Sequence, residues 1–282
     1  MSDRIRPDSV RDAFHALWYD SQCWKETAWF GVPIQKNPFD LLQYQEVIAE
    51  QRPEFVIECG ALHGGATLYF AHLLDLVGRG RVISIDVRDG WHEAVRRHPR
   101  VERLVGDSTS AEVLEIVDRL VPSSSRAFVL LDSDHTEAHV LRELRAYQRF
   151  VQVGDYLVVE DTNINGHPVL GDFGPGPYEA VDAFLRETAD FVVDDGRERK
   201  LHFTFAPHGW LRRVARTPAS RPVADLAARS RSMADEIERL NAEIRRLHEA
   251  MQAMQSTRGW RALEWIRRLR AAIGGLGGRG GG

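Results

Sequence analysis

The sequence predicts an α/β fold built around a mostly parallel β-sheet. Two observations support this: short apolar runs alternate with segments of helical periodicity, and acidic side chains follow several of the runs. The predicted strands are residues 55–59, 81–87, 101–105, 127–132 and 155–160, and the predicted helices between them include 65–77, 111–120 and 137–151. Because such alternation is typical of right-handed βαβ crossovers, we expect these strands to lie parallel.

Further segments flank this repeating pattern. A helix over 178–188 and strands over 191–194 and 201–207 follow it, and the two strands are expected to form an antiparallel edge. The region before the first predicted strand is rich in aromatic side chains, so we expect residues 1–53 to form a helical and aromatic cap on the sheet. The main domain is then expected to span residues 54–215.

Composition limits the class of protein. At 282 residues and 32.0 kDa, with 43% hydrophobic residues, the chain is long enough for one large core and an appendage. The net charge of -4 argues against nucleic acid as the main partner. No apolar stretch is long enough to span a bilayer and the first residues lack a signal-peptide core, so a cytoplasmic location is the expectation. Cys23 and Cys59 are too few for a disulfide framework and are expected to be reduced.

A linker and a coiled coil are predicted over residues 216–255. Pro218 and Pro222 mark the linker. The residues that follow at alternating steps of four and three are Leu226, Ser230, Met233, Ile237, Leu240, Ile244, Leu247, Met251 and Met254. Because an isolated helix cannot bury this apolar stripe, we expect a homo-oligomer through the coiled coil, with packing on the chain's own core as the alternative.

Residues 256–282 form a basic amphipathic tail that ends in glycines expected to be disordered. The segment holds six arginines but one glutamate, beside a continued apolar stripe. Such a segment suits peripheral contact with an anionic membrane face or docking on a partner enzyme such as a glycosyltransferase, and a solvated basic end is the alternative.

Carboxylates cluster where two predicted strands end. Asp132 and Asp134 follow the fourth strand of the alternating series, and Glu160 and Asp161 follow the fifth. In open α/β sheets this edge is where ligands bind. Carboxylates gathered there would repel one another unless a hard cation neutralised them, so a Mg²⁺ site is the first hypothesis.

The earlier strand ends carry the residue types of a nucleoside-binding site. Residues 58–65 (Glu-Cys-Gly-Ala-Leu-His-Gly-Gly) lead directly into a helix, but their glycine spacing differs from G-x-G-x-x-G, which disfavours a nicotinamide cofactor. Asp86 ends the second strand, where it could accept hydrogen bonds from a ribose. Asp107 and Ser108 end the third, near a possible adenine. For either aspartate alone a helix N-cap is the commoner explanation, but the three strand ends together favour a nucleoside-bearing cofactor.

Several motifs together resemble the cephalosporin hydroxylase family over residues 24–213. They are Trp-Phe-Gly-Val-Pro-Ile-Gln-Lys-Asn-Pro-Phe-Asp from Trp29, the Glu58 loop, Asp107-Ser108, Asp132-Ser133-Asp134-His135, Gly154-Asp155-Tyr156, Glu160-Asp161-Thr162 and Gly174-Pro175-Gly176-Pro177. Despite the label, members resemble class I S-adenosylmethionine-dependent methyltransferases, some of them metal-dependent O-methyltransferases of sugars. The resemblance implies a Rossmann-like, doubly wound, seven-stranded sheet.

The resemblance also implies the site residues. The expected contacts to S-adenosylmethionine are Glu58, Gly60, Ala61, Gly64, Gly65, Asp86, Asp107, Ser108 and Asp132. The expected Mg²⁺ ligands are Asp132, Glu160 and Asp161. Asp134 is the alternative to Asp132, because both lie on the same side of an extended strand.

The expected reaction is methyl transfer to a hydroxyl of a sugar in a surface polysaccharide, a glycolipid or a glycosylated natural product. His135 is the expected general base, and a structural hydrogen bond at the start of the next helix is its alternative role. We expect the polar loop 162–168 to cover the acceptor. Two other functions stay open: a non-haem iron hydroxylase of a small natural product, and a non-catalytic cofactor-binding scaffold acting through the coiled coil.

Overall fold

The computed structural model describes residues 7–217, which fold into helices around two β-sheets. The strands are β1 (Ala28–Trp29), β2 (Val32–Pro33), β3 (Phe55–Cys59), β4 (Arg81–Asp86), β5 (Val101–Val105), β6 (Ala127–Leu131), β7 (Tyr156–Val159), β8 (Phe191–Val193) and β9 (Trp210–Arg213). The helices are α1 (Pro7–Ser21), α2 (Pro38–Gln51), α3 (Gly65–Val77), α4 (Glu93–Arg96), α5 (Ala111–Leu120), α6 (Glu137–Tyr147), α7 (Pro177–Glu187) and α8 (Asp195–Arg199). Among these residues no helix is long and apolar enough to cross a membrane.

The main sheet has seven strands in the order β5-β4-β3-β6-β7-β9-β8. Strands β3 to β7 are parallel to one another, and β9 runs antiparallel to both β7 and β8. The order of the strands reverses between β3 and β6, so their carboxyl ends meet at a switch point. The predicted fold class is confirmed.

Helices cover both faces of this sheet. Every residue of β3 after Phe55, and every residue of β6 and β7, is buried. Along β3, Ile57 and Cys59 pack with residues of α5, α6 and α7, whereas Val56 packs with residues of α2 and α3. This alternation explains why the parallel strands read as continuous apolar runs: each face of the sheet meets its own layer of helices.

The prediction of a strand over residues 201–207 is wrong. Residues 201–207 form turns and irregular structure, and the last of the described strands is β9, which begins three residues later. Phe203 packs its ring against those of Phe14 and Phe39, at centroid distances of 5.1 and 5.5 Å, and the Phe205 N–H donates to Asp40 Oδ2 at 2.8 Å. Contacts with the first two helices therefore replace strand pairing in this segment.

Residues before β3 bring side chains to the carboxyl edge of the sheet. Helix α1, a 3₁₀ turn, the β1–β2 hairpin and α2 follow one another. Asn37 caps α2, accepting a hydrogen bond from the Phe39 N–H, and Pro38 occupies its first turn. The predicted coiled coil and basic tail lie outside the described residues from residue 218 onward, so they remain predictions.

Candidate active site

A cavity of about 610 Å³ lies along the carboxyl edge of the main sheet. Ten of the twelve predicted site residues line it: Glu58, Gly60, Ala61, Asp86, Asp107, Ser108, Asp132, His135, Glu160 and Asp161. They come from the ends of five different strands, β3 to β7. The parallel sheet therefore gathers residues that are about a hundred positions apart in the chain.

Glu58 is a buried carboxylate with one free oxygen. Its Oε2 accepts hydrogen bonds from Thr67 and from Ser84 Oγ, the latter at 2.9 Å. Its Oε1 has no hydrogen-bond partner among the described residues. Burial raises the pKa of this carboxyl to about 7. A buried acceptor without a partner beside a cavity fits a ligand that carries hydroxyl or amino groups.

Gly60 permits the close approach of the β3–α3 loop to the end of β6. Its φ is +90°, and a Cβ built there would lie 1.8 Å from the carbonyl oxygen of Asp132. Only glycine therefore fits this position. The loop that is predicted to hold the cofactor thus contacts the residue that begins the predicted metal site.

Gly64 and Gly65 do not line the cavity. Gly64 precedes α3 with a φ of +81°. A Cβ on Gly65 would lie 2.2 Å from the carbonyl oxygen of Pro33, so this glycine allows α3 to pack against the β1–β2 hairpin. Both glycines therefore affect the conformation and packing of the β3–α3 loop without lining the cavity.

Asp86, Asp107 and Ser108 line the cavity but already have protein partners. Asp86 Oδ2 accepts the N–H groups of Ala61 and Leu62 at 2.9 and 2.8 Å, so its carboxylate orders the β3–α3 loop. Asp107 Oδ1 accepts the Thr109 N–H at 2.7 Å in a local turn. Ser108 is 5% exposed and donates to a buried carboxylate on α6.

The two aspartates that follow β6, Asp132 and Asp134, have different contacts. Asp134 Oδ1 accepts the N–H and hydroxyl of Thr136, at 2.8 and 2.6 Å, at the start of α6. Asp132 instead faces the carboxylates at the end of β7. Each of Asp132, His135 and Asp161 brings a ligand atom within 4.8 Å of the others.

His135 is held mainly by Asp161. Its Nε2 lies 3.1 Å from Asp161 Oδ2 and 4.0 Å from Asp132 Oδ1. Burial lowers the pKa of His135, but the hydrogen bond and charge of Asp161 outweigh that effect and raise the pKa to about 9. The same contact holds the pKa of Asp161 below its usual range despite burial.

Lys36 is a residue of this site that the sequence analysis did not identify. Its side chain is 6% exposed, and its ammonium donates to Asp132 Oδ2 and Glu160 Oε2. The other oxygen of Glu160 accepts the Tyr44 hydroxyl at 2.5 Å. Burial lowers the pKa of Lys36, but the two carboxylates outweigh it and raise the pKa above its usual range. The sequence feature that could have identified Lys36 is a lysine within an aromatic and apolar run before α2.

The donor set at this edge suits a hard divalent cation. Burial raises the pKa of both Asp132 and Glu160, which shows that negative charge is costly here. Asp132 and Asp161 offer carboxylate oxygens, the ligands that Mg²⁺ prefers. Both oxygens of Glu160 already accept a hydrogen bond, from Lys36 and from Tyr44, so each has one lone pair left for a metal ion.

Comparison with known proteins identifies relatives. The family model described as Rhamnosyl O-methyltransferase/CmcI matches residues 21–214. A Rhamnosyl O-methyltransferase of Mycobacterium leprae is 39% identical over 207 residues, which are 72% of this chain and 90% of that protein. The protein of the same description from Mycobacterium bovis BCG is 39% identical over 211 residues, covering 72% of this chain and 85% of its own.

Solved structures of CmcI share the fold. The structure described as CmcI-D160 with Mg and SAM has a TM-score of 0.52 and 21% identity, covering 68% of this chain and 78% of that one. The apo structure of the N160 form has a TM-score of 0.51 at the same identity and coverage. With the family model matching most of the chain, this protein belongs to the Rhamnosyl O-methyltransferase/CmcI family.

Proposed function

We propose that the chain is an S-adenosylmethionine-dependent and Mg²⁺-dependent O-methyltransferase that acts on a sugar hydroxyl. The observation that carries this proposal is the contact between Gly60 and Asp132. It puts the predicted cofactor loop directly beside the predicted metal carboxylates, in one cavity. Methyl transfer requires the cofactor site and the acceptor site to adjoin, because the methyl group of the donor and the acceptor oxygen must be aligned.

The family relationship supports the same reaction and acceptor class. Its 39% identical relatives are named as rhamnosyl O-methyltransferases, and CmcI, which shares the fold, has been solved with Mg and SAM. On that basis we propose a sugar acceptor and both of these cofactors for this chain. The finer proposal is that the sugar belongs to a surface polysaccharide, a glycolipid or a glycosylated natural product.

Each residue of the site has a proposed role. Glu58 Oε1 accepts a hydrogen bond from the cofactor, and Asp86 and Gly60 keep the β3–α3 loop in its binding conformation. Asp132 and Asp161 hold the metal, and Glu160 completes the set. When bound, Mg²⁺ lowers the pKa of an acceptor hydroxyl and fixes its position.

His135 is the proposed proton acceptor. It lies at the same rim as the metal carboxylates, where the acceptor hydroxyl must bind. Asp161 orients its imidazole through the 3.1 Å contact. A cation on Asp161 offsets the charge that keeps His135 protonated, so loading the site favours the neutral imidazole that a general base requires.

The two alternatives are less well supported. A non-haem iron site uses two histidines and one carboxylate, whereas the cluster described here has one histidine and two carboxylates. A non-catalytic scaffold does not require a partly buried histidine beside two carboxylates. Relatives named as transferases also argue for an enzyme.

Replacing one of two aspartates by asparagine, at position 161 or at position 134, tests the assignment of the metal ligands. Asp161→Asn should lower Mg²⁺-dependent methylation at least about a hundredfold, because the metal loses a charged ligand. Asparagine tolerates the positive φ of 53° at this position. Asp134→Asn is the matched control, since Asp134 lies on the same edge of the sheet but accepts the Thr136 N–H. Mass spectrometry of methyl α-L-rhamnopyranoside incubated with S-adenosylmethionine and Mg²⁺ measures turnover.

Calorimetry with S-adenosylhomocysteine provides the second measurement. Both variants should bind this product like the wild type. Loss of product binding in Asp161→Asn, or an equal loss of turnover in Asp134→Asn, would show that the metal ligands are misassigned.

A further inference from the structure

A second cavity of about 600 Å³ lies outside the site described above. It is bounded by α1, the loop after the predicted metal ligands, the start of α7, the end of α8 and the turns before β9. Its lining residues are Arg11, Asp12, His15, Gly166, His167, Pro168, Tyr178, Glu198, Arg199, His202, Phe203, Thr204 and Pro207. None of the predicted cofactor or metal residues is among them.

The two cavities share a wall. His15 lines the second cavity and stacks on Phe205, which lines the first, with ring centroids 5.5 Å apart and planes 13° apart. His15 Nε2 also lies 2.9 Å from Asn163 Nδ2, two residues after Asp161. Phe203 continues the wall on the side of the second cavity. The second cavity therefore adjoins the part of the active site where the acceptor hydroxyl must bind.

The chemistry of the second cavity suits an uncharged ligand rich in hydroxyl groups. Its two arginines are balanced by Asp12 and Glu198, and Arg11 Nε lies 3.1 Å from Asp12 Oδ1. Burial lowers the pKa of His15 to about 4, so its ring is neutral at pH 7. A phosphate or carboxylate ligand would need an excess of positive charge, and an acyl chain would need an apolar lining.

Two rings of the lining, those of His167 and Tyr178, belong to a stack of three that His208 completes. Tyr178 lies between His167 and His208, with centroid distances of 3.7 and 4.7 Å. His167 Nε2 is 3.0 Å from Glu179 Oε1, which ties the loop to α7. The stack links the loop that follows the predicted metal ligands to α7 and to the turns before β9, so this part of the lining is preformed.

We propose that the second cavity binds the sugar unit adjoining the one that is methylated. The proposal rests on the proposed function, since it assumes a glycoside acceptor whose reacting sugar occupies the first cavity and whose glycosidic linkage passes around the edge of the wall formed by His15, Phe203 and Phe205. The volume of the second cavity lies in the range of small-ligand sites. Arginine, histidine and carboxylate side chains supply both donors and acceptors for its hydroxyls. The enzyme then selects glycans of two or more units over single sugars.

The test compares two glycosides with a variant of the second cavity. The probes are methyl α-L-rhamnopyranoside and the methyl glycoside of a rhamnose disaccharide. The variant combines Arg199→Ala with His202→Ala, because both side chains line the cavity and both are exposed, so the fold should tolerate their loss. The control is Arg119→Ala, an exposed position on α5 that lines neither cavity.

For the wild type the disaccharide should have a KM about tenfold below that of the monosaccharide, on the scale of one or two hydrogen bonds. The double variant should raise the disaccharide KM to near the monosaccharide value, with kcat and the monosaccharide KM unchanged. Arg119→Ala should change neither. Saturation-transfer NMR with S-adenosylhomocysteine and Mg²⁺ should show contact of protein with both sugar units in the wild type and with one in the double variant.

The outcomes separate this proposal from the proposed function. Methylation of both glycosides with equal KM, or equal effects of the double variant on both, overturns the second-cavity assignment and leaves the methyltransferase in place. Binding of the disaccharide that the double variant abolishes, without any methylation, supports the cavity and overturns the reaction. Absence of both binding and turnover for the two glycosides overturns both.

Discussion

Lys36 is a buried cation whose two carboxylate partners come from different strands. It joins Asp132 at the end of β6 to Glu160 at the end of β7, and Tyr44 completes the contacts of Glu160. Desolvated carboxylates this close would repel one another without a positive charge between them. Lys36 therefore provides part of the positive charge that a metal ion would otherwise have to supply alone.

Lys36→Met should destabilise the metal-free protein and increase its response to Mg²⁺. Removing one partner of a buried ion pair leaves uncompensated charge, so we expect the free energy of unfolding to fall by about 3 kcal/mol. Because the neighbouring cation is gone, Mg²⁺ should restore more stability to the variant than it adds to the wild type. Urea unfolding with EDTA and with MgCl₂ measures both effects.

Lys25→Met is the matched control for that experiment, since Lys25 is exposed on the 3₁₀ turn before β1. It should unfold like the wild type under both conditions. A Lys36→Met protein of wild-type stability, or one that gains less from Mg²⁺ than the wild type does, would contradict the role given to this lysine.

At the scale of elements, the β3–α3 loop owes its position to its contact with the end of β6. Gly60 has no room for a side chain because Asp132 lies against it. Gly78, at the end of α3, has a similar positive φ of +81°, but no atom lies within 4 Å of the place that a Cβ would take there. The two glycines therefore differ in packing and not in backbone conformation.

This difference gives a paired prediction. Gly78→Ala should cost about 1 kcal/mol, the effect of a left-handed backbone on alanine. Gly60→Ala should cost about 3 kcal/mol and weaken binding of S-adenosylhomocysteine, because the loop must move away from β6. Urea unfolding and calorimetry measure the two effects. Equal losses of stability in the two variants would mean that the contact with Asp132 is unimportant.

The sequence predicted the elements that repeat and missed contacts that the tertiary fold creates. Strands β3 to β7 were found because buried parallel strands read as apolar runs that end on polar residues. Residues 201–207 have the alternation of a strand, but their phenyl rings pack on α1 and α2 instead. The role of Lys36 depends on the placement of the segment before α2 against β6 and β7, which local periodicity does not encode.

At the scale of the whole molecule, residues 7–217 contain the seven described strands of the main sheet and the two cavities described above. Thr217 still belongs to this unit, because its N–H and hydroxyl donate to Asp190 at 3.0 and 2.7 Å. Asp190 in turn pairs with the buried guanidinium of Arg213 at 2.8 Å. These contacts set the earliest residue after which the chain can be cut without disturbing β8 and β9.

A chain ending at Thr217 should therefore keep methyltransferase activity and lose the proposed self-association. The heptad pattern predicted beyond this residue is the proposed oligomer contact, and the arginine-rich end is the proposed contact with a membrane face or partner enzyme. Gel filtration with light scattering, alongside the turnover assay, compares the short and full chains. An unchanged mass would remove the coiled-coil proposal, and lost turnover would place part of the active machinery after Thr217.

The position of β9 has a consequence for synthesis on the ribosome. Among the described strands β9 comes last in the chain, yet it lies between β7 and β8 in the sheet. Within that same set β8 pairs with β9 alone, so it has no place to dock until residues 210–213 have left the exit tunnel. Until then the outer side of β7, next to Glu160 and Asp161, is an open edge that other chains can pair with, and the docking of β9 ends that exposure.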